Sequence, residues 1–96
     1  MPATSRNPVL ALAFGETVRA LRETQNVAQE ALALQADMDR SYLGKVERGE
    51  KQPSLDIVFR LSRVLGIAPA ELVDAVSRRV PSVRRRWNAA NAKRPV

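Results

Sequence analysis

Hydrophobic residues recur every three or four positions along most of the chain, which is the period of an amphipathic α-helix. The first such stripe consists of Leu10, Phe14, Val18 and Leu21. Asn7 and Pro8 precede it, and these residue types favour the N-cap and the first position of a helix. Asn26 follows it, and asparagine tolerates the left-handed conformation that ends many helices. The pattern therefore predicts a first helix over about residues 8–25.

Four shorter helical segments follow the first. Their predicted ranges are about Gln29–Ala36, Arg40–Arg48, Leu55–Leu65 and 69–79. Ser54 stands at a cap position, and Gly49 and Gly66 stand where a left-handed residue closes a helix. Pro81 is expected to stop the fifth helix. Because no segment alternates with the two-residue period of a β-strand, the predicted fold is all-α, with five short helices.

Composition supports one domain and removes several kinds of chemistry. The chain has 96 residues, of which 45% are hydrophobic, so it can form a single core. It contains no cysteine and no histidine, which excludes disulfides and thiolate nucleophiles and leaves no histidine as a metal ligand or general base. We therefore expect a protein that is not an enzyme and that needs no metal, cofactor or small-molecule ligand. No membrane span or signal peptide is evident, which favours a cytoplasmic, nucleoid-associated protein.

Positive charge is concentrated at the C-terminal end. Residues 1–77 carry nine basic and ten acidic side chains, a net charge of −1, whereas residues 78–96 carry seven basic and no acidic side chains. This distribution predicts a polyanionic partner, although a solvated tail without a partner fits it too. The predicted organisation is a flexible arm over residues 1–7, a domain over 8–79 and a basic extension over 80–96.

The second and third predicted helices are joined by a short turn, which is the helix-turn-helix pattern. Three motifs accompany it: Gln-Glu-Ala-Leu-Ala at residues 29–33, Val-Glu-Arg-Gly at 46–49 and Pro-Ser-Leu at 53–55. At these spacings, residues 12–74 resemble the Xre/Cro family of lambda-repressor-like DNA-binding domains. The layout is most similar to the controller proteins of restriction–modification systems. The resemblance implies a five-helix fold, double-stranded DNA as partner and a role in transcription regulation.

Three positions depart from the family pattern. Ala28 stands where the family usually has Ser or Thr, so the second helix lacks a capping side chain. Asp37 replaces the usual glycine of the turn, and Gly44 lies within the third helix where a serine or another small residue is common. Each change is expected to cost about 1 kcal/mol and to leave the fold unchanged.

The resemblance and the outward face of the third helix together give candidate DNA contacts. This helix, over about residues 40–48, is expected to lie in the major groove. Base contacts are expected from Arg40, Ser41 and Lys45. Phosphate contacts are expected from Gln29, Tyr42 and Arg48. The resemblance also implies an ion pair between Arg22 and Glu47. For any single contact residue, the alternative is a solvated surface side chain.

Apolar residues beyond one stripe on the fourth and fifth helices predict a dimer interface, and family members commonly dimerise at this end. The expected interface residues are Ile57, Phe59, Val73 and Val76. The alternative is that Ile57 belongs to the core and Phe59 packs on the first helix or the tail. A two-fold dimer implies a palindromic operator with half-sites one helical turn apart, about 34 Å.

The basic extension has a helical stripe of its own. Val83, Trp87 and Ala90 predict a sixth helix over about residues 82–91, with Trp87 packed on the domain or on the dimer mate. Its arginines, Arg84, Arg85 and Arg86, are expected to contact phosphates. The leading interpretation is a homodimeric, sequence-specific transcriptional regulator. The alternative is an antitoxin-like module that neutralises a toxin partner and binds its own promoter.

Overall fold

The computed structural model describes residues 6–92, and over this range the chain forms five helices and no strand. The helices are α1 (Pro8–Thr24), α2 (Gln29–Gln35), α3 (Arg40–Glu47), α4 (Leu55–Leu65) and α5 (Pro69–Ala92). The all-α prediction is confirmed. Residues 1–5 of the predicted arm and residues 93–96 of the predicted extension lie outside the described range.

Local capping signals set several helix ends where the sequence predicts them. The Asn7 side-chain oxygen accepts a hydrogen bond from the backbone N–H of Leu10 at 3.1 Å, and Ser54 caps α4 in the same way. The backbone N–H of Asn7 also donates to the Gln52 side chain at 3.1 Å, which joins the start of α1 to the loop before α4. Gly66 ends α4 with φ of 74°, a conformation that glycine adopts without strain.

The core is largely aliphatic, and all five helices contribute to it. Its best-buried members include Phe14, Val18, Leu32, Leu43, Val46, Leu61, Leu72 and Val83. α1 packs mainly on α5 and α3, and α3 also packs on α2. α1 therefore supports the helix-turn-helix from one side and the long C-terminal helix from another.

Gly15 lies where α1 and α3 approach most closely. A Cβ at this position would overlap the backbone carbonyl oxygens of Val46 and Glu47. From sequence, Gly15 indicates only a helix-propensity cost of about 1 kcal/mol. The structure shows that the missing side chain lets the backbones of the two helices touch.

The prediction that Pro81 stops the fifth helix is wrong. α5 runs without a break from Pro69 to Ala92, and Pro81 lies in its interior. The helical stripe expected over residues 82–91 does form, but as the second half of α5 and not as a sixth helix. The boundary predicted between residues 79 and 80 therefore falls inside one helix.

Contacts with α1 explain why the helix continues through a proline. Pro81 provides no N–H for an intrahelical bond, which ordinarily costs about 3 kcal/mol. Val83, two residues later, is fully buried in the core, and burial of such a side chain contributes about 1.5–3 kcal/mol. The Arg86 guanidinium donates two hydrogen bonds to the Glu16 carboxylate of α1, at 2.8 and 3.0 Å. Arg79 approaches the same carboxylate at 3.5 Å. Tertiary contacts thus outweigh the local signal.

Candidate nucleic-acid interface

The turn between α2 and α3 adopts a left-handed conformation at Asp37, where φ is 57°. The backbone N–H of Met38 donates to the Ala33 carbonyl at 2.9 Å, which closes the end of α2. The Arg60 guanidinium of α4 donates to the Asp37 carbonyl at 2.9 Å. The turn therefore keeps its shape without glycine, because aspartate tolerates the left-handed region and α4 holds the carbonyl.

α3 has one buried face and one exposed face. Leu43 and Val46 are fully buried, and Tyr42 packs half-buried against the core. The exposed positions of the helix and its C-cap are Arg40, Ser41, Lys45 and Arg48. The structure therefore brings the three predicted base-contacting residues to one surface.

Arg40 and Lys45 form no ion pair among residues 6–92. Ser41 donates its hydroxyl to the Asp39 carboxylate at 3.2 Å. Asp39 lies at the cap position of α3, but its side chain makes no capping hydrogen bond. The cationic side chains on this face are exposed to solvent.

A buried carboxylate links three elements behind this face. Glu47 accepts two hydrogen bonds from Arg22, at 2.8 and 3.0 Å, and the two side chains are only 3% and 12% exposed. The hydrogen bonds that Arg22 donates to Glu47 raise the pKa of the Arg22 guanidinium. Arg22 also donates to the Val27 carbonyl at 2.9 Å, just before α2. The pair therefore fixes α1, the entry to α2 and the end of α3.

Gln29 joins the same network, which the sequence does not reveal. Its side-chain amide donates to Glu47 at 2.9 Å. A Cβ on Gly44 would lie only 3.8 Å from the Gln29 side chain, so α2 and α3 are close here. An amide nitrogen carries two N–H donors. One of them donates to Glu47, and the other has no hydrogen-bond partner among the described residues.

Arg48 is exposed and already bound to an acid. Its guanidinium donates to the Glu50 carboxylate at 2.7 Å, and this hydrogen bond lowers the pKa of Glu50. Exposed pairs of this kind contribute little to stability. Arg48 would therefore need little free energy to release the Glu50 carboxylate and bind a phosphate instead.

The predicted dimer-interface residues separate into two groups. Ile57 and Val76 are buried in the core of the same chain, 8% and 5% exposed. Their predicted place in a dimer interface is therefore wrong. Phe59 and Val73 are 54% and 52% exposed, together with Leu55, which is 72% exposed. These last three residues line one groove between α4 and α5, which we call the α4–α5 groove.

The three arginines expected to contact phosphates from the C-terminal extension differ in their surroundings. Arg86 is bound to Glu16, whereas Arg84 and Arg85 are exposed and form no ion pair among the described residues. Trp87 remains 37% exposed. Lys93 and Arg94 lie outside the described range.

Comparison with known proteins identifies the family. The profile described as helix-turn-helix, HTH_3, matches residues 18–72, which span α2, the turn and α3 with their supporting helices. The chain belongs to the helix-turn-helix family. Within it, control protein C.BamHI of Bacillus amyloliquefaciens is 41% identical over 64 residues, covering 66% of this chain and 79% of the relative. Control protein C.MunI of a Mycoplasma species is 35% identical over 66 residues, covering 68% and 89%.

Solved structures of helix-turn-helix proteins agree with this assignment. The restriction-modification controller protein C.AhdI from Aeromonas hydrophila superimposes with a TM-score of 0.63 at 42% identity, covering 65% of this chain and 94% of that one. The clp gene regulator ClgR from Corynebacterium glutamicum gives a TM-score of 0.75 over 86% of this chain at 23% identity, which shows the shared fold.

The comparisons confirm the resemblance drawn from the motifs. This helix-turn-helix protein is a DNA-binding transcription regulator of the Xre-like type. Within residues 6–92, none of its helices has the length and apolarity needed to cross a membrane.

Proposed function

We propose that this protein binds a palindromic operator as a homodimer, with α3 in the major groove of each half-site. The observation that carries the proposal is the exposed face of α3, where Arg40 and Lys45 lie beside Ser41 and have no acidic partner within residues 6–92. Arginine and lysine are the usual donors to guanine in the major groove, and serine serves either bases or phosphates.

Phosphate contacts position the recognition helix on the duplex. Gln29 stands at the start of α2 with its amide oriented by Glu47. Tyr42 and Arg48 flank the base-reading face on α3 and at its C-cap. In this proposal, the three side chains bind the sugar–phosphate backbone on the two sides of the groove.

The α4–α5 groove supports the homodimer. Three large apolar side chains share it, and exposed apolar patches of this kind mark interaction surfaces. A two-fold axis through the groove uses the same surface on both copies. The similarity to C.BamHI and C.AhdI favours control of restriction–modification genes, which the position of the operator in the genome tests.

Selection from a random duplex library, followed by titration, tests the recognition helix. Arg40→Ala and Lys45→Ala are each expected to cost about 1–3 kcal/mol of operator binding and to relax preference at particular base pairs. Gln29→Ala is expected to weaken all sequences alike, because a phosphate contact carries no sequence information.

Lys51→Ala is the matched control, since Lys51 is an exposed cation in the loop after α3. It is expected to leave the base preference of the protein unchanged. Undiminished affinity of both Arg40→Ala and Lys45→Ala for the selected operator would show that α3 does not read the bases.

A further inference from the structure

The second half of α5, Val80–Ala92, lies beyond the residues matched by the family profile, which end at 72. We call this segment the α5 extension. It begins at the residue before Pro81 and is fixed to α1 by the buried Val83 and by the Arg86–Glu16 pair. The hydrogen bonds from Arg86 lower the pKa of Glu16. The extension is therefore attached to the rest of the domain at Val83 and at Arg86.

This attachment decides which arginines face outward. In an α-helix successive residues are rotated by about 100°, so Arg84 and Arg85 lie about 100° and 200° around the axis from Val83. Both are exposed, and neither pairs with a carboxylate among residues 6–92. Trp87 stands one turn after Arg84 and remains partly exposed. A fixed helix thus presents two adjacent cations and an aromatic ring to a partner.

The charge of the rest of the chain indicates what that partner is. Residues 1–77 carry a net charge of −1 and residues 78–96 a net charge of +7. Attraction to the phosphate backbone supplies nearly all non-specific DNA binding and depends on cations that displace counterions. The body alone has no excess of such cations.

We propose that the α5 extension binds the phosphate backbone of the same duplex that α3 reads, outside the base pairs read by α3, through Arg84 and Arg85. The extension then supplies the sequence-independent part of the affinity, while α3 supplies the sequence preference. This inference rests on the proposed function, since it takes DNA as the ligand.

The test compares the full-length Arg84→Gln/Arg85→Gln variant with the parent protein on the selected operator and on a random duplex, over a range of salt concentrations. We expect equal fold losses of affinity for both duplexes. The log–log salt slope should fall by about 0.9 for each phosphate that the variant no longer neutralises. The Arg19→Gln/Arg63→Gln variant removes the same charge from exposed positions on α1 and α4 and should keep the parent slope.

Trp87 provides a second readout because it is the only tryptophan of the chain. Random duplex DNA should protect its fluorescence from quenching by iodide in the parent and much less in the Arg84→Gln/Arg85→Gln variant.

An unchanged salt slope in that variant would overturn the inference, and so would a loss confined to the operator. A loss that accompanies dissociation of the dimer in sedimentation would assign the extension to a second copy instead. Failure of the proposed function is distinguishable, because the parent itself would then show no sequence preference.

Discussion

At the residue scale, two neighbouring ion pairs are expected to differ strongly in what the loss of one partner costs in stability. Arg22 and Glu47 are almost fully covered, whereas Arg48 and Glu50 lie in solvent. Removal of one partner of a buried pair leaves an uncompensated charge in a poorly solvated site. Removal of one partner of an exposed pair leaves a charge that water solvates. The family resemblance identified the first pair, but its burial follows only from the packing of α1 on α3.

Glu47→Ala is therefore expected to reduce the free energy of unfolding by about 3–5 kcal/mol, because Arg22 and Gln29 both lose their carboxylate. Glu50→Ala, the matched control, is expected to leave the free energy of unfolding almost unchanged. Urea denaturation at constant m-value measures both. Equal effects of the two substitutions would contradict the view that burial sets the difference.

At the scale of elements, the helix ends that were predicted correctly depend on local chemistry. Asn7, Ser54 and Gly66 act through their own side chains or backbone conformations, so a few neighbouring residues suffice to identify them. The missing cap of α2 was predicted from local chemistry too: Ala28 lies at the cap position, and its side chain makes no capping hydrogen bond.

The features that sequence reasoning missed are all tertiary. Gly15 is a contact between two backbones, and the hydrogen bond from Gln29 to Glu47 joins residues 18 positions apart. Pro81 predicts a helix end locally, but Glu16, far away in sequence, holds the helix beyond it. The spacing of Val83 and Trp87 did predict a helix there. The spacing did not predict that this segment continues the preceding helix without a break.

Pro81→Ala tests this account of α5. The substitution restores an N–H donor in the helix interior and removes the clash of the proline ring, so we expect stabilisation by about 1–3 kcal/mol. Pro81 is exposed, so the smaller side chain leaves no cavity. The denaturation midpoint measures the change. A destabilised variant would show that proline suits a bend at this point of α5.

At the scale of the whole molecule, the surfaces proposed for DNA and for a second copy use different elements. The candidate base-reading face is on α3, and the groove proposed for the partner lies between α4 and α5. Ile57 and Val76, from the same two helices, belong to the core of the chain and not to this groove. Two copies joined there would set the separation of the two α3 helices, which must be about 34 Å to enter successive major grooves on one side of DNA.

Phe59→Glu and Val73→Glu are expected to shift the protein from dimer to monomer, because each places a charge in the apolar α4–α5 groove. Sedimentation at tens of micromolar, a concentration in the range of ordinary affinities, measures the state. Operator affinity should fall in parallel, while each folded monomer keeps its helical circular dichroism.

Leu34→Glu is the control, since Leu34 is 79% exposed on α2 and outside the groove. It should remain dimeric. A parent protein that sediments as a monomer, or a Val73→Glu variant that remains a dimer, would show that operator binding does not depend on a dimer formed at the α4–α5 groove.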